Sequence, residues 1–332
     1  MADYSKIHTN QRLLLQELER RGVEIEVLVP ELEIAEARFL KHVELLVDRD
    51  SSVMPYAATL LSSDKYLSKL FLRRAGLPVP RGEQFYADQF LDVARYIKSL
   101  KSSFVFKPTI GSHGEFCFMD LQTVQDFELV LEKFVLARGR SSAFLIEEQI
   151  AASEYRVFIT RRKQFAVLHR DPAHVVGDGR STISELVEQI NHERTAPRKN
   201  ALCPIVLDSN VVGLLKQSKY DLSSVPLRGQ KVYLRRNSNL ATGGFCEDFT
   251  DRVHPEIVEL AFRALRTFPR LPYAGIDLMT ADISAAPSTA ACYILEVNSN
   301  PGLHMHVRPG AGQSQNVAAY VADMIFPETY GR

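Results

Sequence analysis

Three polar residues near the C-terminal end of the chain have the side-chain types of a magnesium site. Glu296 and Asn298 stand two apart at the end of the apolar run 293–297, which is typical of a buried strand, so both side chains point to one face. Asp277 lies inside a second apolar run, 273–279, and a buried aspartate is unfavourable unless it is paired or binds a metal. If the two strands are antiparallel neighbours, three oxygen ligands of the kind that Mg²⁺ prefers meet. On their own, Glu296 and Asn298 fit an ordinary strand equally well.

A lysine followed by a glycine-containing loop is a candidate phosphate site. Residues 104–107 predict a short strand that ends in Lys107, residues 109–114 form a loop of small residues, and residues 116–119 predict a returning strand. Backbone N–H groups at such a hairpin tip can surround a phosphate, and the lysine supplies a point charge. The pattern differs from the Walker A motif, whose longer glycine loop leads into a helix. A plain hairpin is the competing interpretation.

A second lysine stands at the start of a predicted helix. Ser62-Ser63-Asp64 is typical of a helix N-cap, and Lys65 follows it in the first turn. A cation at this end of a helix opposes the helix dipole. Lys65 is therefore either an ordinary solvated lysine or a lysine placed to meet a phosphate.

The next predicted strand and hairpin carry candidate nucleotide contacts. Residues 143–150 predict a strand with a polar exit, whose adjacent backbone donors and acceptors would suit an adenine edge. Glu154, just beyond, could accept hydrogen bonds from ribose hydroxyls. Arg156 and Arg170 flank a predicted β-hairpin, and a surface arginine is the alternative interpretation of each.

Loops toward the C-terminus are candidates for the substrate side. Pro301-Gly302 predicts a turn whose N–H groups can hold an anion, and we expect His304 and His306 just beyond it to line a pocket. For His306, packing or substrate recognition is favoured over a general-base role. A polar loop that ends in Thr242-Gly243-Gly244 is another candidate, and the polar residues 191–200 predict a mobile lid.

The remaining patterns predict the elements that position these residues. Apolar periodicity and capping residues predict helices over 10–22, 65–75, 121–138, 183–193 and 255–266. Alternating or continuous apolar runs predict strands over 24–29, 43–47, 156–159, 164–168 and 232–236, with a short helix between the first two. The first 60 residues therefore predict a small α/β lobe.

The composition is that of an ordinary globular protein. A chain of 332 residues is long for one core, so two or three lobes are expected. Lysine plus arginine and aspartate plus glutamate both number 40, and this neutral balance argues against a nucleic-acid partner or a membrane surface. No apolar run approaches the ~20 residues of a membrane span, and the N-terminus has no apolar signal core. The four scattered cysteines predict reduced thiols in a cytoplasmic protein.

Taken in order, these motifs resemble the ATP-grasp superfamily of carboxylate–amine ligases. Within it, the chain resembles the ATP-grasp part of cyanophycin synthetases and of bifunctional glutathione synthetases, over residues 10–328. No single motif is specific, but the ordered set is. The residues that carry the resemblance are Ser63-Asp64-Lys65, Gly76-Leu77-Pro78-Val79-Pro80, Val105-Phe106-Lys107-Pro108, Ser112-His113-Gly114, Pro172-Ala173-His174-Val175-Val176-Gly177-Asp178-Gly179, Asn239-Leu240-Ala241-Thr242-Gly243-Gly244, Gly275-Ile276-Asp277, Glu296-Val297-Asn298 and Pro301-Gly302 through Met305-His306.

The resemblance implies an α+β protein with the ATP-grasp fold, in which two α+β lobes clasp ATP beside a small N-terminal α/β lobe. The implied boundaries are 1–60 for the N-terminal lobe, 61–150 for the central lobe and 151–332 for the C-terminal lobe. It also implies two Mg²⁺ ions, with Mn²⁺ as an alternative, amino acid or peptide substrates, and a homodimer.

The resemblance also implies roles for individual residues. The nucleotide contacts are Lys65, Lys107, Ser112, His113, Gly114, Glu147, Glu148, Gln149, Ile150 and Glu154. The metal ligands are Asp277, Glu296 and Asn298, and the catalytic arginines facing the acyl phosphate are Arg235 and Arg170. The substrate residues are Arg156, Asn239, Thr242, Gly243, Pro301, Gly302, His304 and His306.

Two departures from the family pattern stand out. The phosphate hairpin usually continues His-Gly-x-Gly, whereas here Glu115 and Phe116 follow His113-Gly114. The ligase domain of cyanophycin synthetases and the cysteine-ligating domain of glutathione enzymes have no counterpart, which predicts a stand-alone ligase. The expected reaction forms an amide bond through an acyl phosphate, with release of ADP and phosphate. An ATP-dependent phosphotransferase and a non-catalytic nucleotide-binding protein are the alternatives.

Overall fold

Helices and antiparallel sheets alternate along the chain, as expected for an α+β protein. The computed structural model describes residues 4–111, 114–195, 202–287 and 292–332. Within these ranges the strands form four sheets, of three, four, five and two strands, and every pairing is antiparallel. No helix in the described ranges has the length and apolar character needed to cross a membrane.

The N-terminal lobe is a helix on a three-stranded sheet. Its elements are α1 (Thr9–Arg20), β1 (Glu24–Val29), β2 (Ile34–Phe39) and β3 (His42–Val47). The short helix expected between two strands is wrong, because residues 34–39 bury every second side chain and pair with both neighbours as β2, leaving a single 3-10 turn at Pro30–Leu32.

The N-terminal lobe has no separate core. The apolar face of α1, with Leu14 and Leu18, packs on the last α-helix together with Val321 and Ile325. Arg21, at the end of α1, crosses the same contact and binds the carboxylates of Glu17 at 2.8 Å and Asp323 at 2.6 Å. The N-terminal lobe is therefore fastened to the C-terminal part of the chain.

The central lobe is a four-stranded sheet covered by helices and filled by aromatic side chains. Two linking helices precede it: α2 (Tyr56–Ser63) and α3 (Lys65–Arg74). Its own elements are β4 (Gly82–Phe85), α4 (Phe90–Ser99), β5 (Phe104–Pro108), β6 (Phe118–Leu121), α5 (Val124–Arg138) and β7 (Phe144–Glu148). The strand order is β4-β7-β5-β6, and Phe106 stacks on Phe144 with ring centroids 4.8 Å apart.

The C-terminal lobe contains the five-stranded sheet that carries the predicted metal ligands. It contributes β8 (Ser153–Thr160), β9 (Phe165–Asp171), β10 (His174–Val176), α6 (Ile183–Thr195), α7 (Ser209–Gln217), β11 (Lys231–Tyr233), β12 (Phe245–Asp248), α8 (Pro255–Thr267), β13 (Tyr273–Thr280), β14 (Cys292–Asn298), α9 (His304–Val307) and α10 (Val317–Ile325). The sheet order is β12-β9-β8-β13-β14. Ala58 and Leu72 of the linking helices pack in the core beneath this sheet, so α2 and α3 join the two large lobes.

A small unit with its own core is inserted between β9 and β12. It consists of β10, β11, α6 and α7, whose apolar side chains form a separate cluster. The expected mobile loop over 191–200 is wrong for 191–195, because α6 continues through Thr195, while 196–200 lie outside the described residues. The Asn191 amide bonds to both the N–H and the carbonyl of Ile205, at 2.7 and 2.9 Å, which anchors the end of this helix.

Candidate active site

The three predicted metal ligands lie together on adjacent strands. The antiparallel register of β13 and β14 sets Asp277 opposite Glu296 and Gly275 opposite Asn298, which confirms the predicted pairing of these strands. The Asn298 amide donates to the Asp277 carboxylate at 3.4 Å. No group of three or more His, Cys, Asp or Glu that could hold a metal occurs in the described ranges. The set is thus two carboxylates and an amide, an oxygen donor set that fits Mg²⁺ when phosphate oxygens complete it.

Two arginines hold Asp277 in the charged form. Arg156, opposite Asp277 on β8, donates from Nε and Nη2 to the two carboxylate oxygens at 2.6 Å each, and Arg170 approaches at 3.3 Å. Burial opposes ionisation, but the charge and hydrogen bonds of Arg156 prevail and lower the pKa of Asp277. Arg170 also pairs with Glu154 at 2.9 Å. An ionised carboxylate is the form that binds a cation.

Lys65 faces the predicted metal ligands from the start of α3. Asp64 caps this helix and accepts from the N–H groups of Tyr66 and Leu67 at 2.9 Å each, as the sequence predicts. The Lys65 ammonium donates to the Gly111 carbonyl at 2.7 Å and lies 3.8 Å from the Glu296 carboxylate. Its side chain is 16% exposed, so it is not an ordinary solvated lysine.

Lys107 reaches the same space from the end of β5. It is buried to 9% exposure and forms an ion pair with Glu147 of β7. A second lysine, Lys69, lies 2.8 Å from the other oxygen of the same carboxylate. Glu147 therefore directs its side chain toward two lysines, and its backbone lies within the sheet between β4 and β5.

The expected adenine hinge is an ordered strand end. The Glu148 N–H donates to the Arg81 carbonyl at 2.9 Å, and the Gln149 N–H donates to the Ser103 carbonyl at 2.9 Å. The Gln149 side chain bonds to Asp120 through both its oxygen and its nitrogen. These hydrogen bonds fix the hinge backbone.

A cavity of about 780 Å³ lies between the three lobes. Most of the predicted site residues line it. They are Lys65, Lys107, Gly114, Glu154, Arg156, Arg170, Asn239, Asp277, Glu296, Asn298, Pro301, Gly302 and His304. Eight other predicted site residues are absent from the described part of the cavity lining: Glu147, Glu148, Gln149, Ile150, Arg235, Thr242, Gly243 and His306. Ser112 and His113 lie outside the described residues.

The residues left outside the cavity have structural partners. Arg235 donates to the Asp208 carboxylate at 2.9 Å and to the Val206 carbonyl at 3.1 Å, so it joins β11 to α7. Gly243 has φ +94° and lies so close to Ile205 that an added Cβ would be 2.7 Å from the Ile205 Cα. Thr242 donates to the Asn239 carbonyl at 3.1 Å. The Thr-Gly-Gly pattern is explained here by a tight turn.

His306, expected to line a pocket, is instead fully buried. Its exposure is 0% and its ring packs edge-on to Phe158 at 5.8 Å. Neither ring nitrogen has a hydrogen-bond partner among the described residues, and burial lowers the pKa of His306 to about 3. Since the ring cannot contact a substrate, packing is its role.

The N-terminal lobe supplies a wall of the cavity that no sequence motif predicted. His8, Asn10, Asp48 and Arg49 line it. The Asn10 side-chain oxygen accepts from the Leu303 N–H at 2.8 Å and from the His304 N–H at 3.0 Å, and it lies 2.8 Å from the His304 ring. These partners are more than 290 positions apart in sequence, and no local pattern reveals them.

The second cluster of this wall joins β3 to the loop after β14. Asp48 pairs with Arg49 at 2.6 Å and accepts from the Asn300 amide at 3.1 Å. Arg49 Nε and the Asn300 side-chain oxygen are buried without a hydrogen-bond partner among the described residues. A buried donor and a buried acceptor at a cavity wall are groups that a polar ligand could satisfy.

One arginine engages both residues that depart from the family's hairpin pattern. Arg138, at the end of α5, forms an ion pair with Glu115, and its guanidinium lies 5.5 Å from the centre of the Phe116 ring. Phe116 also packs edge-on to Phe134 at 6.1 Å. Glu115 and Phe116 thus attach the hairpin to α5, and Arg138 compensates the charge of Glu115.

Comparison with known proteins gives a consistent answer. No protein-family model matches the chain. It is 39% identical over 276 residues to a cyanophycin synthetase of Trichormus variabilis. The match covers 82% of this chain and 30% of that protein. It is 30% identical over 336 residues to the bifunctional glutathione biosynthesis protein of Enterococcus faecalis, which covers 99% of this chain and 44% of that protein.

A solved structure extends the likeness to the whole fold. The crystal structure of a bifunctional glutathione synthetase from Pasteurella multocida matches with a TM-score of 0.70 at 27% identity, over 97% of this chain and 44% of that one. The chain thus spans less than half the length of the relatives it matches. Fold, motif order and similarity agree, and the chain belongs to the ATP-grasp superfamily of carboxylate–amine ligases.

Proposed function

We propose that the chain is an ATP-dependent carboxylate–amine ligase that forms an amide bond through an acyl phosphate. The observation that carries the proposal is the meeting of Asp277, Glu296 and Asn298 with Lys65 and Lys107 at one cavity. Two carboxylates and an amide suit a divalent cation, and two ammonium groups suit the phosphates that the cation accompanies.

The nucleotide would lie between the central and C-terminal lobes. In this proposal Lys65, Lys107 and the hairpin residues Ser112, His113 and Gly114 hold its phosphates. The adenine would lie at the strand end of residues 147–150, using backbone groups other than the Glu148 and Gln149 N–H groups, which are bound to Arg81 and Ser103. Glu154 would hold the ribose. Asp277, Glu296 and Asn298 would bind two Mg²⁺ ions, with Mn²⁺ as an alternative. Bound metal would neutralise charge on the β- and γ-phosphates and orient the transferred group.

The reaction needs two bond exchanges. A substrate carboxylate oxygen bonds to the γ-phosphorus while the bond to the β-phosphate oxygen breaks, which gives an acyl phosphate and ADP. An amine then attacks the acyl carbon, the phosphate leaves, and the amine loses a proton. Arg156 and Arg170 would orient the acyl phosphate; the contact of both guanidinium groups with Asp277, the proposed metal ligand, supports this role. Arg235 would have to leave Asp208 to assist them.

The substrates would occupy the end of the cavity that the N-terminal lobe closes. There Asp48 could accept an ammonium group, and Arg49 could donate to a carboxylate from its unpartnered Nε. Asn239, Pro301, Gly302 and His304 form the rest of this end. An amino acid or short peptide has both groups.

We infer a cytoplasmic location from the cysteines. All four cysteines are free thiols, and two of them are buried, which suits a cytoplasmic protein. A homodimer is an expectation from the family resemblance.

The test is a screen for ADP release with amino acids and dipeptides, singly and in pairs. ADP that appears only when an acid and an amine are both present supports the ligase. Release with the acid alone would favour a phosphotransferase, and nucleotide binding without release would favour a non-catalytic protein. Glu296→Ala should abolish turnover, whereas Glu259→Ala, at an exposed ion pair with Lys163, should not. Full turnover by Glu296→Ala would contradict the metal assignment.

A further inference from the structure

A buried lysine outside the cavity shares its carboxylate partner with the phosphate-site lysine. Lys69 lies one turn after Lys65 on α3 and is 1% exposed. Its ammonium is 2.8 Å from one oxygen of Glu147, and Lys107 pairs with the other oxygen. Of the two lysines, Lys107 lines the cavity and Lys69 does not, as far as the described lining extends.

The Glu147 side chain is fixed in this position. Its strand neighbour across the sheet is Gly82, where an added Cβ would lie 2.7 Å from the Cβ of Glu147. Glu147 is 3% exposed, so water does not solvate its carboxylate. Burial disfavours the carboxylate, yet Lys107 and Lys69 prevail and lower the pKa of Glu147. The carboxylate is therefore a permanent anion between two cations.

The charge balance of this trio depends on Lys69. Two lysines and one glutamate leave one net positive charge. Without Lys69, Glu147 and Lys107 would form a neutral pair, and the ammonium at the cavity wall would be fully compensated. A neutral pair attracts a phosphate far less than a net cation does, above all where water is excluded.

We propose that Lys69 is a positioning residue for phosphate binding, which holds part of the Glu147 charge so that Lys107 presents net positive charge to the nucleotide. The inference rests on the nucleotide site of the proposed function. It extends that site by a residue that contacts no ligand and acts through the carboxylate it shares.

A charge-balance cycle tests the inference. Lys69→Met removes the net charge, and Lys69→Met combined with Glu147→Gln restores it. We expect Lys69→Met to bind a non-hydrolysable ATP analogue about tenfold more weakly, which corresponds to ~1.4 kcal/mol. The double variant should bind within about threefold of wild type, on the same scale. Adenosine, which lacks phosphates, should bind all three proteins equally. Lys163→Met, at an exposed surface pair, is the matched control and should change nothing.

Two results would overturn the proposal. One is a Lys69→Met protein that binds the analogue as tightly as wild type. The other is a double variant that binds no better than Lys69→Met, since a purely structural role predicts that a second core change makes binding worse. If wild type itself binds no analogue, the nucleotide site of the proposed function fails. If wild type releases ADP and Lys69→Met binds the analogue normally, only the role of Lys69 is excluded and the proposed function stands.

A measurement on wild type covers the case in which Lys69→Met fails to fold. Burial lowers the pKa of Lys69 to about 8, with Glu147, Lys107 and Arg73 as the charged groups that face it. Loss of its proton would remove the net charge of the trio. Affinity for the analogue should therefore fall as the pH rises through about 8, while affinity for adenosine stays constant. A flat profile for the analogue contradicts the proposal.

Discussion

Acid should destabilise this protein because His306 is buried as a neutral ring. Burial, reinforced by the charge of Arg156, lowers the pKa of His306 to about 3, whereas an unfolded histidine titrates near ~6.5. The unfolded chain therefore binds the proton first. Stability that depends on the neutral ring is complete above pH ~6.5 and is lost as the pH falls from there toward the folded pKa. At about pH 5, some 1.5 units below the unfolded pKa, this single group costs about 2 kcal/mol.

The replacement His306→Leu tests this reasoning. Leucine keeps apolar volume against Phe158 and removes two buried nitrogens that have no hydrogen-bond partner among the described residues. Urea unfolding at about pH 8 and pH 5 should show that the variant loses about 2 kcal/mol less than wild type between the two conditions. His192→Gln changes an exposed histidine and should reproduce the wild-type difference. Equal losses for wild type and His306→Leu would refute the reasoning.

Two other predictions concern stability. Arg21→Met leaves the buried carboxylate of Asp323 without its cation, while Glu17 keeps its pair with Arg20, so unfolding in urea should show a loss of about 3–5 kcal/mol. The variant should keep wild-type affinity for an ATP analogue; a loss of affinity with unchanged stability would contradict a structural role. Gly177→Ala places a Cβ 2.3 Å from a backbone carbonyl of the facing loop and should cost about 1–3 kcal/mol. Its control is Gly213→Ala within α7, where the space is open and alanine should stabilise by up to ~1 kcal/mol. Similar changes at both glycines would rule out the steric explanation.

Local patterns predicted the elements whose signals lie within a few residues. Asp64 caps α3 as expected, because capping depends on a side chain and the two or three N–H groups after it. Asp277 stands out because a single carboxylate interrupts an apolar strand, and the structure pairs that strand with the one bearing Glu296. The strand β2 was predicted as a short helix because its glutamate and arginine are common in helices. Its conformation is decided by pairing with β1 and β3.

Tertiary contacts decided the parts of the site that the sequence could not predict. Sequence motifs place Lys107 and Glu147 in separate roles, but the sheet sets their strands side by side and makes them an ion pair. His306 follows Met305 in a short helix, and nothing in the local pattern says which of them faces the core. Arg49 belongs to the site only because the N-terminal lobe folds back onto the loop at Asn300. Residue types indicated the chemistry, whereas contacts between residues far apart in sequence decided which residues lie at the site.

The contact between α1 and α10 sets an order of assembly. Arg21 and Asp323 are 302 positions apart, so a ribosome must add these 302 residues after Arg21 before α1 can contact α10. Until then the apolar face with Leu14 and Leu18 lacks its contact with α10. Asn10, which holds the loop at His304, belongs to that same helix. We therefore expect the half of the cavity proposed for the nucleotide to form first during synthesis. The half proposed for the substrates, which the N-terminal lobe closes, should form last.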